Sequence, residues 1–192
     1  MPDVSVSTFR KKAIAILIVP FLCAFLGSTV HAQTFHTTAP VDFAKLFKEN
    51  LKKGGQFLNL NGQKIGDDGI AALVKNPLIQ NLVKLDLRYN GISLEGARVL
   101  AQTSFPKLKE LILRHNILGD EGAEAIALSE GFPKLEALQL GWAEVRDRGA
   151  LAFVNRKSSA LEKLDLRGNF LANSTKDTLK QKLSHLKSLK LY

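Results

Sequence analysis

Leucine recurs along this chain with a period that only a stack of similar units can use. Leu58, Leu85, Leu111, Leu138 and Leu164 follow one another at intervals of 27, 26, 27 and 26 residues. Around them the pattern L-x-x-L-x-L-x-x-N-x-L is filled by Leu82, Leu85, Leu87, Asn90 and Ile92, by Leu108, Leu111, Leu113, Asn116 and Leu118, and by Leu161, Leu164, Leu166, Asn169 and Leu171. Two looser copies contain Leu58, Leu60, Gln63 and Ile65, and Leu135, Leu138, Leu140, Ala143 and Val145. A sixth copy starts with Leu186, Leu189 and Leu191. Side chains alternate along a strand. Leu85 and Leu87 therefore point to one side, while Lys84, Asp86 and Arg88 point to the other. One such unit cannot bury its apolar side alone, but neighbours stacked on it can.

The second half of each unit has helical spacing. Gly69-Ile70 with Leu73, Gly96-Ala97 with Leu100, Gly122-Ala123 with Ile126, and Gly149-Ala150 with Phe153 each place apolar residues on one helical face. Asp67, Asp120, Asp147 and Asn173 stand two residues before the corresponding glycine positions, where such side chains cap helix starts. Each unit thus reads as strand, turn and helix. The fifth helix lacks the Gly-Ala pair, and Leu179, Leu183 and Leu186 give it a longer apolar face. The Asn of the pattern is expected to satisfy turn backbone from unit to unit. Ala143 replaces it in the fourth unit, whose turn must then satisfy its backbone by other means.

With Gly-Asp-Glu-Gly-Ala at residues 119–123, this pattern resembles the ribonuclease-inhibitor-like class of leucine-rich repeats over residues 55–192. That class is also seen in Ran GTPase-activating proteins and innate-immune sensors. The resemblance implies an α/β solenoid of about five and a half repeats, with a curved parallel sheet on the concave side and helices on the convex side. It is specific for fold and says little about function.

The flanks are read separately. Arg10, Lys11 and Lys12 precede an uncharged stretch from Ala13 to Leu26, and Val30-His31-Ala32 offers a small-residue cleavage site. That order is the one a secretory signal requires, so residues 1–32 are expected to be a leader. The alternative, an uncleaved anchor, needs a longer apolar run of about 20 residues. Residues 33–54 are expected to form a capping helix region. Phe43, Leu46, Phe47 and Leu51 lie at helical spacing, Lys52 and Lys53 suit the last turn, and Gly54 suits the stop. The chain ends on the sixth strand, an edge beside Lys187 and Lys190.

Loss of the leader removes Cys23, the sole cysteine, which excludes disulfides and Cys-based metal sites from the remainder. It also removes three basic residues and one acidic one, lowering the net charge from +9 to +7. A secreted or periplasmic location follows. The leader's style and the cysteine-free body fit a bacterial product, including an effector acting on a host protein.

The charge favours an acidic partner. On the concave face one column of equivalent positions reads Asn61, Arg88, Arg114, Gly141, Arg167 and Tyr192, and the next reads Gly62, Tyr89, His115, Trp142 and Gly168. Strands lie about 4.8 Å apart, so these side chains are neighbours. Arg, Tyr and Trp are the types enriched at interface anchors. Arg88, Tyr89, Arg114, His115, Trp142 and Arg167 are therefore the candidate partner-binding patch, with Asp86 and Asp165 placed to orient the arginines. Deleting Arg88, Arg114 and Trp142 is expected to remove binding with little effect on stability.

Catalysis is not expected. His36, His115 and His185 fall in unrelated parts of the pattern, and no nucleophile–base arrangement, phosphate loop or dinucleotide fingerprint occurs. No metal or cofactor is expected, and no membrane span beyond the leader. Anionic glycans and lipid headgroups also match the charge. Export and the lack of a nucleic-acid motif weigh against nucleic acid. Regulation of a GTPase, implied by one branch of the resemblance, requires delivery into a cell. Asn173-Ser174-Thr175 is a glycosylation sequon that equally suits a helix start.

Overall fold

The computed structural model describes residues 41–156, 158 and 160–192. The leader expected over residues 1–32 and the first part of the capping region lie outside the described residues.

Six strands run parallel in chain order: β2 (Phe57–Asn59), β3 (Lys84–Asp86), β4 (Glu110–Ile112), β5 (Ala137–Gln139), β6 (Lys163–Asp165) and β7 (Ser188–Lys190). Leu58, Leu85, Leu111, Leu138, Leu164 and Leu189 stand in register across them. The second pattern leucines, Leu60, Leu87, Leu113, Leu140 and Leu166, are fully buried on the same side. Between strands the chain returns through α2 (Gly66–Val74), α3 (Leu94–Ala101), α4 (Gly119–Leu128), α5 (Asp147–Leu151) and α6 (Asn173–Lys182). Each helix turns its apolar face onto the leucines. Phe105 and Phe132, which follow α3 and α4, are fully buried and stack with ring centroids 5.5 Å apart. This is a leucine-rich-repeat solenoid.

The N-terminal cap differs in detail from expectation. Helix α1 (Phe43–Asn50) starts where Asp42 accepts the Lys45 amide at 3.0 Å, and it buries Phe47. It stops at Asn50, not at Gly54. Leu51 and Lys52 instead form β1 (Leu51–Lys52), which pairs antiparallel with β2. This short strand covers the first edge of the sheet and satisfies backbone groups that would otherwise face solvent. The C-terminal edge strand β7 pairs only with β6 among the described residues.

The aspartates expected to cap their own helices cap the next one. Asp67, in α2, accepts the backbone amides of Ser93 (2.9 Å) and Gly96 (3.1 Å) at the start of α3. Asp120, in α4, accepts Arg146 and Gly149 at the start of α5 (2.7 and 3.0 Å). Asp147, in α5, accepts Ala172 at 2.9 Å and the Thr175 hydroxyl. These bonds hold the Asp147 carboxyl below its usual range, with the backbone amide of Ala172 the largest cause. The carboxylates thus tie consecutive helices together, each at the positive end of the next.

This arrangement explains glycine at 96 and 149, where a Cβ would meet Asp67 and Asp120, whereas at 69 and 122 it would meet Ile65 and Leu118. A Cβ on Gly96 would sit 2.3 Å from Asp67 Oδ1. Gly96→Ala is expected to push that carboxylate out of its bonds to α3 at a cost of about 2 kcal/mol. A lowered urea midpoint measures the effect, and an unchanged midpoint would show that the cap can shift freely.

The asparagines act in the opposite direction, on the preceding unit. Asn116 Oδ1 accepts the amides of Asn90 (3.1 Å) and Ile92 (3.0 Å), and its Nδ2 donates to the carbonyls of Leu87 and Leu113 (both 2.9 Å). Asn169 does the same for Ala143, Val145, Leu140 and Leu166. The turn carrying Ala143 is therefore supported by Asn169. Loss of an asparagine at 143 instead falls on the third unit, where Ala143 cannot accept the amides of Asn116 and Leu118. That corrects the expectation, which placed the deficit in the fourth unit.

Candidate binding face

The sheet face opposite the helices brings all eight candidate residues together, in roles the sequence pattern does not distinguish. Asp86 and Asp165 end β3 and β6 and are 2% and 6% exposed. Each lies beneath the arginine two residues on. Arg88 donates through Nε to Asp86 Oδ1 (2.9 Å) and through Nη2 to Oδ2 (2.7 Å). Arg167 grips Asp165 in the same way, at 3.0 and 2.7 Å. Burial opposes ionisation of Asp165, but the hydrogen bonds and charge of Arg167 outweigh it, so its pKa lies below the ordinary value.

Arg114 occupies the equivalent place two residues after β4, yet the strand ends there on Ile112, which cannot pair with it. No described carboxylate lies within ion-pair distance of Arg114. Its Nε is buried without a hydrogen-bond partner, and its guanidinium carbon lies 4.9 Å from the centre of the Trp142 ring. Gly141, in the turn after β5, lies beside it. A Cβ there would be 3.4 Å from Arg114 Nε.

Tyr89, His115 and Trp142 form one continuous stack. Tyr89 and His115 are 4.1 Å apart at 8°, and His115 and Trp142 are 4.9 Å apart at 9°. All three adopt left-handed backbone, with φ of 54°, 55° and 52°, at the position where Gly62 and Gly168 have φ of 71° and 70°. Such a conformation strains a bulky residue. Gly168 closes the stack, since a Cβ there would lie 2.3 Å from Trp142 Cε2. Tyr89 and Trp142 remain 52% and 42% exposed. Burial lowers the His115 pKa, with Arg114 and Arg88 acting in the same sense, so the imidazole is neutral at neutral pH.

Two further exposed apolar residues share this rim, Ile117 and Phe170, the latter with Arg146 at 5.7 Å from its ring centre. They stand two positions beyond the stacked column. The column Lys64, Gly91, Ile117, Glu144, Phe170 aligns them but is too mixed in character to mark them as exposed. Beside Arg114 a cleft of about 460 Å³ crosses β4 to β7, lined by Gln139, Lys163, Asp165, Arg167 and Lys190 among others. Among the described residues, no group of three or more His, Cys, Asp or Glu side chains could hold a metal ion, and no helix is long and apolar enough to cross a membrane.

A repeating sheet-and-helix unit with an open, side-chain-rich sheet face defines a leucine-rich-repeat protein, the class that presents binding surfaces to other proteins. The comparisons agree: residues 79–101, 106–127 and 133–154 match the family described as leucine rich repeat. The F-box protein SKIP19 of Arabidopsis thaliana is 36% identical over 119 residues, covering 62% of this chain and 37% of that protein. Protein CARMIL of Dictyostelium discoideum is 28% identical over 177 residues, covering 91% of this chain and 12% of that protein. The chain thus spans well under half the length of either relative, and neither is bacterial. A solved structure of the leiomodin-1 actin-binding site 2 aligns with a TM-score of 0.49 at 16% identity, covering 80% of this chain and 81% of that one.

Proposed function

We propose that the protein is an exported binding module of the ribonuclease-inhibitor-like class that recognises an acidic protein partner through its open sheet face. The observation that carries this reading is the Tyr89–His115–Trp142 stack. Glycine fills the same left-handed position at 62 and 168 without strain, yet three consecutive units place large rings there and leave their edges in solvent. Local strain of about 1–3 kcal/mol per residue, held in place by its surroundings, is characteristic of functional positions. Rigid aromatics beside arginine are the side chains that dominate binding energy at protein interfaces.

The test uses the glycine solution the fold already contains. Tyr89→Gly with Trp142→Gly relieves the backbone strain while removing the stack's two exposed rings. Stability is expected to stay within about 1 kcal/mol, while cross-linked capture of the partner falls at least tenfold relative to the unaltered chain. Equal capture by both proteins would overturn the reading. Export is tested separately, by sequencing the N-terminus of secreted material, which is expected to begin at Gln33.

A further inference from the structure

We propose that Arg114 and the cleft beside it form a carboxylate-binding site for an extended acidic peptide segment, with one acidic side chain on Arg114 and a second near Lys163 and Lys190. The proposal rests on the protein-binding reading above and names the chemistry of the partner.

Three arginines share one column, and the fold cancels two of them. Asp86 and Asp165 neutralise Arg88 and Arg167 through bidentate pairs. Arg114 has Ile112 where those aspartates stand, and no described carboxylate replaces it. A planar guanidinium held against an indole, with its Nε shielded, is positioned in advance to meet a carboxylate through its remaining donors.

The adjoining cleft extends the same charge. Its lining includes the carboxylates Glu110 and Asp165 and the cations Arg114, Lys163, Arg167 and Lys190. Asp165 is used by Arg167, and Glu110 pairs with Lys84 at 2.7 Å. Arg114, Lys163 and Lys190 make no ion pair among the described residues, although the charge of Arg114 also helps lower the Asp165 pKa. Arg114 follows β4 and Lys190 ends β7, three strand spacings away, or about 14 Å. An extended peptide covers that span in about four residues, which sets the separation of the two acidic side chains.

Next to Arg114 the stack favours a peptide over a sugar, the open face of Tyr89 lying at the far end. A sugar ring packs onto an open aromatic face. Here His115 is covered on both faces, and Trp142 lies between His115 and Gly168. What these two rings offer is edges, which suit an apolar side chain next to the carboxylate.

Trp142 is the chain's single tryptophan, so its emission reports on the site directly. The full chain is titrated with the acetylated, amidated peptide Ala-Glu-Leu-Ala-Ala-Glu-Leu, with its Gln-for-Glu counterpart, and with a sulfated oligosaccharide, and each affinity is checked by calorimetry. The Glu peptide is expected to change the emission saturably and to bind at least tenfold more tightly than the Gln peptide. Arg114→Gln should lower its affinity about tenfold, while Lys75→Gln, on the helical side, should leave it unchanged. The proposal is overturned if the Glu peptide does not bind, if the two peptides bind alike, if Arg114→Gln has no effect, or if only the sulfated oligosaccharide saturates the site. Partner capture that needs the aromatic stack but survives Arg114→Gln would sink this inference and leave the protein-binding reading standing.

Discussion

Asn116→Ala is expected to lower the stability of the fold by about 4 kcal/mol, read as a fall in the urea midpoint with little change in slope. Asn116 is 3% exposed and makes four close hydrogen bonds to backbone, spanning two units. A single hydrogen bond contributes only about 1 kcal/mol net, but a buried backbone group stripped of its partner costs about 1–3 kcal/mol. Alanine leaves the amides of Asn90 and Ile92 and the carbonyls of Leu87 and Leu113 without this partner. A loss below about 1 kcal/mol would mean that water or relaxed backbone supplies the bonds. The reverse change tests the same geometry. Ala143→Asn places an acceptor against the amides of Asn116 and Leu118, in the one unit between 90 and 169 that lacks it, and is expected to gain about 1 kcal/mol. Because Ala143 is fully buried, that gain depends on the turn admitting the larger side chain. A loss would show that the third and fourth units have closed around alanine.

The parts of this fold legible in the sequence are those set by a period. The leucine spacing gives the register of β2 to β7, because alternate leucines must share one interior and a slip by one residue would expose them all. The Gly-Ala steps give the helices for the same reason. Direction across units is not periodic information, so the pattern cannot tell whether Asp67 caps its own helix or the next, or which turn suffers from Ala143. A two-residue strand such as β1 has no pattern at all.

The face shows the same division. The aromatic stack is visible as a column, since positions one repeat apart become neighbours about 4.8 Å apart. The inequivalence of Arg88, Arg114 and Arg167 is visible only when their column is set beside Asp86, Ile112 and Asp165, because the property at stake is a pair and not a residue. Ile117 and Phe170 escape because exposure depends on how the turn after each strand is directed, which their own identities do not determine.

Arg88→Ala is accordingly expected to destabilise the protein by about 3 kcal/mol, against the sequence-based expectation that its removal is nearly neutral. The side chain of Asp86 is 3% exposed, and Arg88 supplies both of its bidentate contacts. Removing one member of a buried pair strands the other charge, at a cost of about 3–5 kcal/mol when the pair is fully buried. The 35% exposure of the Arg88 side chain reduces that figure. Asp86→Ala should cost less, about 1 kcal/mol, since the freed guanidinium can turn to solvent. Equal losses from the two substitutions, measured by urea unfolding at pH 7, would contradict the asymmetry.

Acidification tests the same physics at the second pair, with a definite sign. In the unaltered protein Asp165 has a depressed pKa, so it contributes stability above its unfolded value of about 3.9, and that contribution is lost as pH falls through the lower folded value. In Arg167→Ala burial acts without the arginine to oppose it, the folded pKa rises, and protonation relieves the penalty. The stability gap between the two proteins is therefore widest at pH 7 and narrows toward pH 4. A gap that widens on acidification would mean that the buried carboxylate is not what Arg167 serves. Binding experiments that remove Arg88 or Arg167 mix loss of partner with loss of fold. Arg114, which leaves no buried carboxylate behind, separates the two.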